Sequence, residues 1–173
     1  MSNNNGVTLV SVQKVVKPRI EDVIPAYLEG DAKTLALDFI AYMRENKLQP
    51  TWMSHNTWKA SYKRRNICFI RLPKNNMPYD YWAVHPHISR WNKFISNYDV
   101  FKDQIIDSGT RSIVWDNVNI CRNCANCAPG WDMSILGREF TNVCHNIPAW
   151  YCDPGETEID FIKMILDLMK QTM

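Results

Sequence analysis

Four of the six cysteines, Cys121, Cys124, Cys127 and Cys144, lie within 24 residues in the pattern Cys-x2-Cys-x2-Cys-x16-Cys, and His145 follows directly. Thiolates at this spacing form a ligand set for a soft cation, and in a reducing compartment they are read as metal ligands before disulfides. A structural Zn2+ is the first reading. A 4Fe-4S cluster is the second, because Cys-x2-Cys-x2-Cys also wraps a cubane, although the usual cysteine followed by proline is absent. Thiol redox chemistry is the third. The fourth ligand stays open: His145 can replace Cys127 or Cys144 in a site of three thiolates and one imidazole, and Cys152 can enter if the chain beyond Pro148 folds back. For Cys152 a buried packing role is the plainer expectation. Cys68, alone in an apolar run, is expected in the core.

A second constellation is His85-Pro86-His87, which puts two imidazoles on one face of an extended segment. No Asp or Glu follows closely to complete a triad, so edge-strand histidines are the competing reading. Trp58, Tyr62 and Trp82 belong to an aromatic-rich centre that reads first as core. With His85 and His87 they are also the candidate wall of a small-ligand pocket. Lys59, Lys63, Arg64, Arg65 and Arg71 gather on one predicted hairpin, as a solvated edge or, alternatively, a phosphate-facing strip. No G-x-G-x-x-G, P-loop, G-x-S-x-G or H-E-x-x-H motif occurs, and no carboxylate pair is singled out by spacing.

The rest of the chain must position these groups. Its 173 residues are 46% hydrophobic and 22% charged, enough for one domain with a real core. The net charge of +2 does not indicate a nucleic-acid partner. No segment has the ~18 apolar residues of a membrane helix, and residues 1–18 lack the basic start and cleavage site of an export signal. A cytoplasmic protein is expected, with residues 1–18 as a flexible tail and 19–173 as a single domain in which 119–146 form the metal-binding lobe.

Apolar spacing predicts a helix from an Asp31 cap to about Asn46. Alternation predicts strands around Trp58–Tyr62 and Ile67–Leu72, turning at Arg64-Arg65-Asn66, and a third strand over Tyr79–Val84. A helix is expected from Asn97 to Gly109 and an extended run over Ile113–Ile120. Gly137-Arg138 is read as a type II′ hairpin turn, which would set Cys144 opposite Trp131 at the hairpin base. A final helix is expected from an Asp153 cap with Pro154 at its first position, its stripe running through Ile159, Ile162, Leu166 and Met169. The fold class is therefore α+β: an antiparallel sheet flanked by helices, with a cysteine-rich hairpin lobe before the C-terminal helix.

The stretches Trp58-Lys59-Ala60-Ser61-Tyr62-Lys63 and Ile67-Cys68-Phe69-Ile70-Arg71-Leu72, with Cys121 to Cys144 and Gly137-Arg138-Glu139-Phe140, resemble a group of small, functionally uncharacterised bacterial cytosolic proteins with a C-terminal CxxCxxC…C cluster. The resemblance implies a bacterial cytosolic α+β protein and brings no activity. The expected function is metal binding, with a small ligand or a protein as possible partner. An iron-sulfur or thiol redox protein is the alternative, and an enzyme using His85 and His87 is the second alternative.

Overall fold

Trp52, Trp58 and Ile70 stand in one cross-strand row, and Thr51, Lys59 and Phe69 in the next. Side chains alternate across a sheet, so the two rows emerge on opposite faces. Trp58 and Ile70 are buried while Lys59 and Phe69 are partly exposed, which identifies the core face. The strands are β1 (Gln49–Ser54), β2 (Thr57–Tyr62) and β3 (Arg65–Arg71), each antiparallel to the next. With β4 (Ala83–Pro86) and β7 (Tyr151–Cys152) they form a five-stranded sheet in the order β1-β2-β3-β4-β7. Strand β3 lies at its centre, as its nearly continuous apolar sequence suggests. A bulge opposite Ala60 and Ser61 lets the consecutive Ile67 and Cys68 both bury. This is a computed structural model, and it describes residues 10–74, 81–97, 99, 108–122 and 128–173.

The chain is α+β, and it divides into two compact units: Met1–Val84 with Cys152–Ile159, and His85–Tyr151 with Asp160–Met173. Among the described residues no helix is long and apolar enough to cross a membrane.

In the first unit, residues expected in a flexible tail form helix α1 (Val10–Val16). Its apolar Val10, Val15 and Val16 are exposed, and its buried residue is Gln13. The reason is a hydrogen-bond network: Gln13 Nε2 donates to Asn56 Oδ1 at 2.7 Å, and Gln13 Oε1 accepts from the Asn56 amide at 2.9 Å and from Trp52 Nε1 at 3.3 Å. Asn56 Nδ2 in turn donates to the Pro73 carbonyl, and Asn56 O accepts from Leu72 N at 2.9 Å. Asn56 takes a left-handed φ of 50° in the β1–β2 turn, a conformation asparagine tolerates.

After α2 (Ile20–Val23) and a 3-10 turn (Ile24–Ala26) comes α3 (Gly30–Glu45), which buries Phe39, Ile40 and Met43. Its N-cap is Glu29 rather than Asp31, and Asp31 sits in the first turn, where its charge favours the helix dipole. Strands β2 and β3 join through Lys63 and Arg64, both at positive φ (46° and 66°), one residue earlier than expected. Two positive φ values define a type I′ turn, whose twist suits a hairpin. For residues with a Cβ each costs roughly 1–2 kcal/mol.

The second unit begins with a helix the sequence reading missed, α4 (Ile88–Ser96), which buries Trp91 and Phe94. Asn97 ends this helix instead of opening the next. The expected Asn97–Gly109 helix otherwise falls largely outside the described residues. Helix α5 (Ser108–Asp116) replaces the first half of the extended run expected over Ile113–Ile120, of which Val118 and Ile120 alone make strand-like bridges. Hairpin β5 (Trp131–Ile135) and β6 (Arg138–Val143) follows.

Helix α6 (Glu156–Gln171) buries the expected stripe, from Ile159 to Met169. Its start differs from expectation. The Glu158 carboxylate accepts the Gly155 amide at 3.2 Å, the reciprocal half of a capping box. Asp153 instead brackets Trp82: its Oδ1 accepts Trp82 N at 3.1 Å, and its own amide donates to Trp82 O at 2.8 Å.

Candidate metal centre

Cys121 and Cys144 adjoin a short ladder in which Ile120 bridges Val143 antiparallel. Two backbone bonds flank the bridge: Cys121 N donates to Asn142 O and Cys144 N to Asn119 O, each at 2.7 Å. Cys121 and Cys144 therefore occupy diagonal positions one step either side of the bridge. By alternation both leave the ladder on the face opposite to Ile120 and Val143. Diagonal neighbours are about 7–8 Å apart, beyond the usual ~4.4–6.8 Å Cα span of a disulfide but within reach of two ligands on one ion at a Zn–S distance of about 2.3 Å. Cys121 is 8% exposed and Cys144 partly exposed.

The β5–β6 register places Val143, not Cys144, opposite Trp131. The turn is Leu136-Gly137, with φ of 50° and 82°, a type I′ loop one residue earlier than the expected Gly137-Arg138. Leu136 accepts the strained backbone because the turn buries its side chain to 3% exposure. Full burial of a leucine contributes roughly 1.5–3 kcal/mol, against about 1–2 kcal/mol for the left-handed backbone. Trp115 Nε1 donates to the Ile135 carbonyl at 2.8 Å, and the Arg138 guanidinium lies over both Trp115 and Phe140, so α5 pins this end of the hairpin.

At the other end, a bulge between Trp131 and Met133 puts Asn142 at φ 57°. Asn142 Nδ2 donates to Cys121 O at 3.1 Å, and Asn142 N donates to Asp132 Oδ1 at 2.9 Å. A Cβ on Gly130 would collide with Asn142 Oδ1 and come within 2.7 Å of its backbone. The segment from Cys121 to Gly130, which holds Cys124 and Cys127, thus leaves and re-enters the fold against one asparagine. Asn119 fixes the chain beyond Cys144: its amide donates to Pro148 O at 2.9 Å and its Nδ2 to Ile147 O at 2.8 Å.

Cys124 and Cys127 lie outside the described residues. Among the described residues no three His, Cys, Asp or Glu side chains converge as a metal site. His145 packs its ring on Trp131, centroids 4.9 Å apart. Cys152 is exposed rather than buried, because alternation in β7 turns Tyr151 inward. Cys68 is a core residue at 1% exposure, and burial pushes its thiol far above the ordinary range, so it is inert.

The two histidines separate in role. His85 is 4% exposed and stacks on Trp150 at 5.3 Å. His87 is the N-cap of α4: Nδ1 accepts the Ser89 amide at 3.3 Å and lies 2.9 Å from Ser89 Oγ. The capping signal, His87 followed by Ser89 and an Ile88, Trp91, Phe94 stripe, was present in the sequence. In the first unit, Trp58 and Trp82 are closed into the core at 0% and 1% exposure, with Trp58 Nε1 donating to Pro18 O at 3.0 Å. Tyr62 is partly exposed beside Lys63.

No protein-family model matches the chain, and neither a curated protein nor a solved structure matches it.

Proposed function

We propose that this is a non-enzymatic metal-binding protein in which Cys121, Cys124, Cys127 and Cys144 hold one structural Zn2+. The observation that carries the reading is the diagonal placement of Cys121 and Cys144 on a single ladder, at the mouth of the segment that contains the other two cysteines. Residues 122–129 include few apolar side chains, so a metal supplies folding energy that a core there cannot. His145 is the substitute ligand, being next to Cys144 in sequence, and its contact with Trp131 holds it near the hairpin base. Exposure of Cys152 on β7 leaves it the weaker substitute.

Elemental analysis of anaerobically purified protein, with its visible spectrum, tests the proposal. The expected result is one zinc per chain and no visible band, with zinc lost in Cys121→Ser and in Cys124→Ser. A brown protein with a broad visible band and stoichiometric iron would replace zinc by a 4Fe-4S cluster. Metal-free protein of unchanged thermal stability would end the metal reading altogether.

A further inference from the structure

Helix α1 inverts the usual amphipathic arrangement. A surface helix ordinarily turns its apolar residues inward, yet α1 buries Gln13 and leaves Val10, Val15 and Val16 exposed. At about 100° per residue, Val15 stands roughly 200° round the helix from Gln13, and it is 82% exposed. Of the five large apolar side chains exposed among the described residues, four gather here: the three valines and Met53. Met53 follows the Trp52 that donates to Gln13, and it falls at the β1 bulge between paired Trp52 and Ser54. Valine is also a weak helix former. The exposed valines therefore strengthen neither the helix nor the core, and exposed apolar side chains gathered at one place mark a contact surface.

Charge is the second observation. The first 20 residues contain Lys14, Lys17 and Arg19 and no carboxylate. Arg19 is taken by Glu21 at 3.1 Å, but among the described residues no carboxylate pairs with Lys14 or Lys17, both exposed. Lys74 adds a third cation at this end of the sheet. It follows Pro73, whose carbonyl accepts Asn56 Nδ2 in the network that holds Gln13.

These features choose between partners. Two copies meeting on this face would set Lys14 and Lys17 against their own counterparts, which like charge opposes. A groove on an acidic protein needs helical anchors spread over i, i+3, i+4 and i+7. Helix α1 has seven residues, and one side of it is tied to Asn56 and Trp52. An anionic bilayer asks only for cations beside apolar side chains on one accessible face.

We propose that α1, with Met53, docks this protein on an anionic phospholipid surface, Val15 and Val16 dipping below the headgroups while Lys14 and Lys17 meet lipid phosphates. The hydrogen bonds of Gln13 to Asn56 and Trp52 hold the valines outward before contact is made. The inference is independent of the proposed metal site, whose four cysteines lie in the other unit.

The test is flotation of the full chain with vesicles, either of phosphatidylcholine alone or of an equimolar mixture of phosphatidylcholine and phosphatidylglycerol. The native protein should float with the mixture, release as salt is raised and stay behind with phosphatidylcholine alone. A cation near an anionic leaflet contributes about fivefold in affinity, so Lys14→Gln/Lys17→Gln should weaken binding roughly 25-fold. Val15→Gln/Val16→Gln should weaken it roughly tenfold. Its melting temperature should hold, since glutamine is the better helix former. Lys14→Arg/Lys17→Arg should bind like the native chain. So should Lys63→Gln/Arg64→Gln, which removes cations at the β2–β3 turn, the opposite end of β2 from Asn56. Binding lost in Lys63→Gln/Arg64→Gln but kept in the folded α1 variants overturns the proposal. So does a native protein that ignores the mixed vesicles, or one that sediments as a dimer which Val15→Gln/Val16→Gln dissociates.

Discussion

Asn142 holds Cys121 by two hydrogen bonds, accepting its amide at 2.7 Å on the backbone carbonyl and donating side-chain Nδ2 to its carbonyl at 3.1 Å. The left-handed φ of 57° makes both possible, since it turns the Asn142 peptide out of the β5–β6 ladder and towards the segment that precedes the cysteines. The bulge is thus what joins the hairpin to the cysteine segment.

Gly130→Ala attacks this joint from the other side. The new Cβ would meet both the side chain and the backbone of Asn142, and backbone yields less readily than a side-chain tip. Overpacking of this kind costs roughly 1–3 kcal/mol. The expected outcome is a lower denaturant midpoint and, on the zinc reading proposed above, weaker retention of the metal against a chelator. A Gly130→Ala protein of native stability would show that the joint does not hold the hairpin to the segment around Cys121.

In the first unit, Gln13→Leu should unpair the Asn56 amide and the Trp52 indole while keeping the volume of the side chain. A buried polar group left without its partner costs roughly 1–3 kcal/mol, and Asn56 loses a partner at both its amide and its Oδ1, while the part-buried Trp52 indole adds less. The variant should lose at least about 2 kcal/mol in urea unfolding, by the same reckoning. Removal of residues 1–16 should cost no less. A truncation as stable as the full chain would return α1 to the status of a tail.

The same residue explains what the sequence left hidden. Helix α6 and strand β3 were legible because their apolar residues recur at helical spacing or run together, and burial follows hydrophobicity there. Gln13 inverts that rule: a polar side chain among exposed valines reads as solvent-facing until Asn56, 43 positions away, is known to lie against it. The β5–β6 turn was placed one residue too late for a related reason. Glycine fits the first position of a II′ turn and the second of a I′ turn, and only the burial of Leu136 decides between them. Asp153 satisfied the local pattern of a helix cap, but its carboxylate is taken by Trp82, which no local pattern reveals. At the candidate metal centre, Cys121 and Cys144 flank one bridge of a ladder, and the bulge at Asn142 that sets their register carries no distinctive sequence signal.

Acid should expose the ion pair between α2 and α3. Burial opposes ionisation of Glu21, but hydrogen bonds from Arg44 and Arg19 outweigh it and hold the carboxyl at about 2, below its ordinary 4.5. Arg44 bonds both carboxylate oxygens, through Nε and through Nη2 at 2.8 Å. A carboxyl depressed on folding contributes its stability above the unfolded value and loses it as pH falls through the folded one. The stability difference between the native protein and Glu21→Gln should accordingly be constant above about pH 5 and shrink between about pH 4.5 and pH 2. A difference independent of pH across that window would refute the pairing.

His87 should give a second, milder dependence nearer neutrality. Burial lowers its basicity, and the neighbouring Arg90 lowers it further. The neutral ring is also the form that caps α4, since Nδ1 must keep a lone pair to accept the Ser89 amide. Protonation is thus easier in the unfolded chain, and its contribution to stability is full above the ordinary value of 6.5 and declines as pH falls below it. Asn caps helices well and does not titrate. His87→Asn should therefore match the native protein at about pH 8 and surpass it at about pH 5.5, as read from thermal melts at the two pH values. Parallel loss in both proteins would mean that the decline originates at another group.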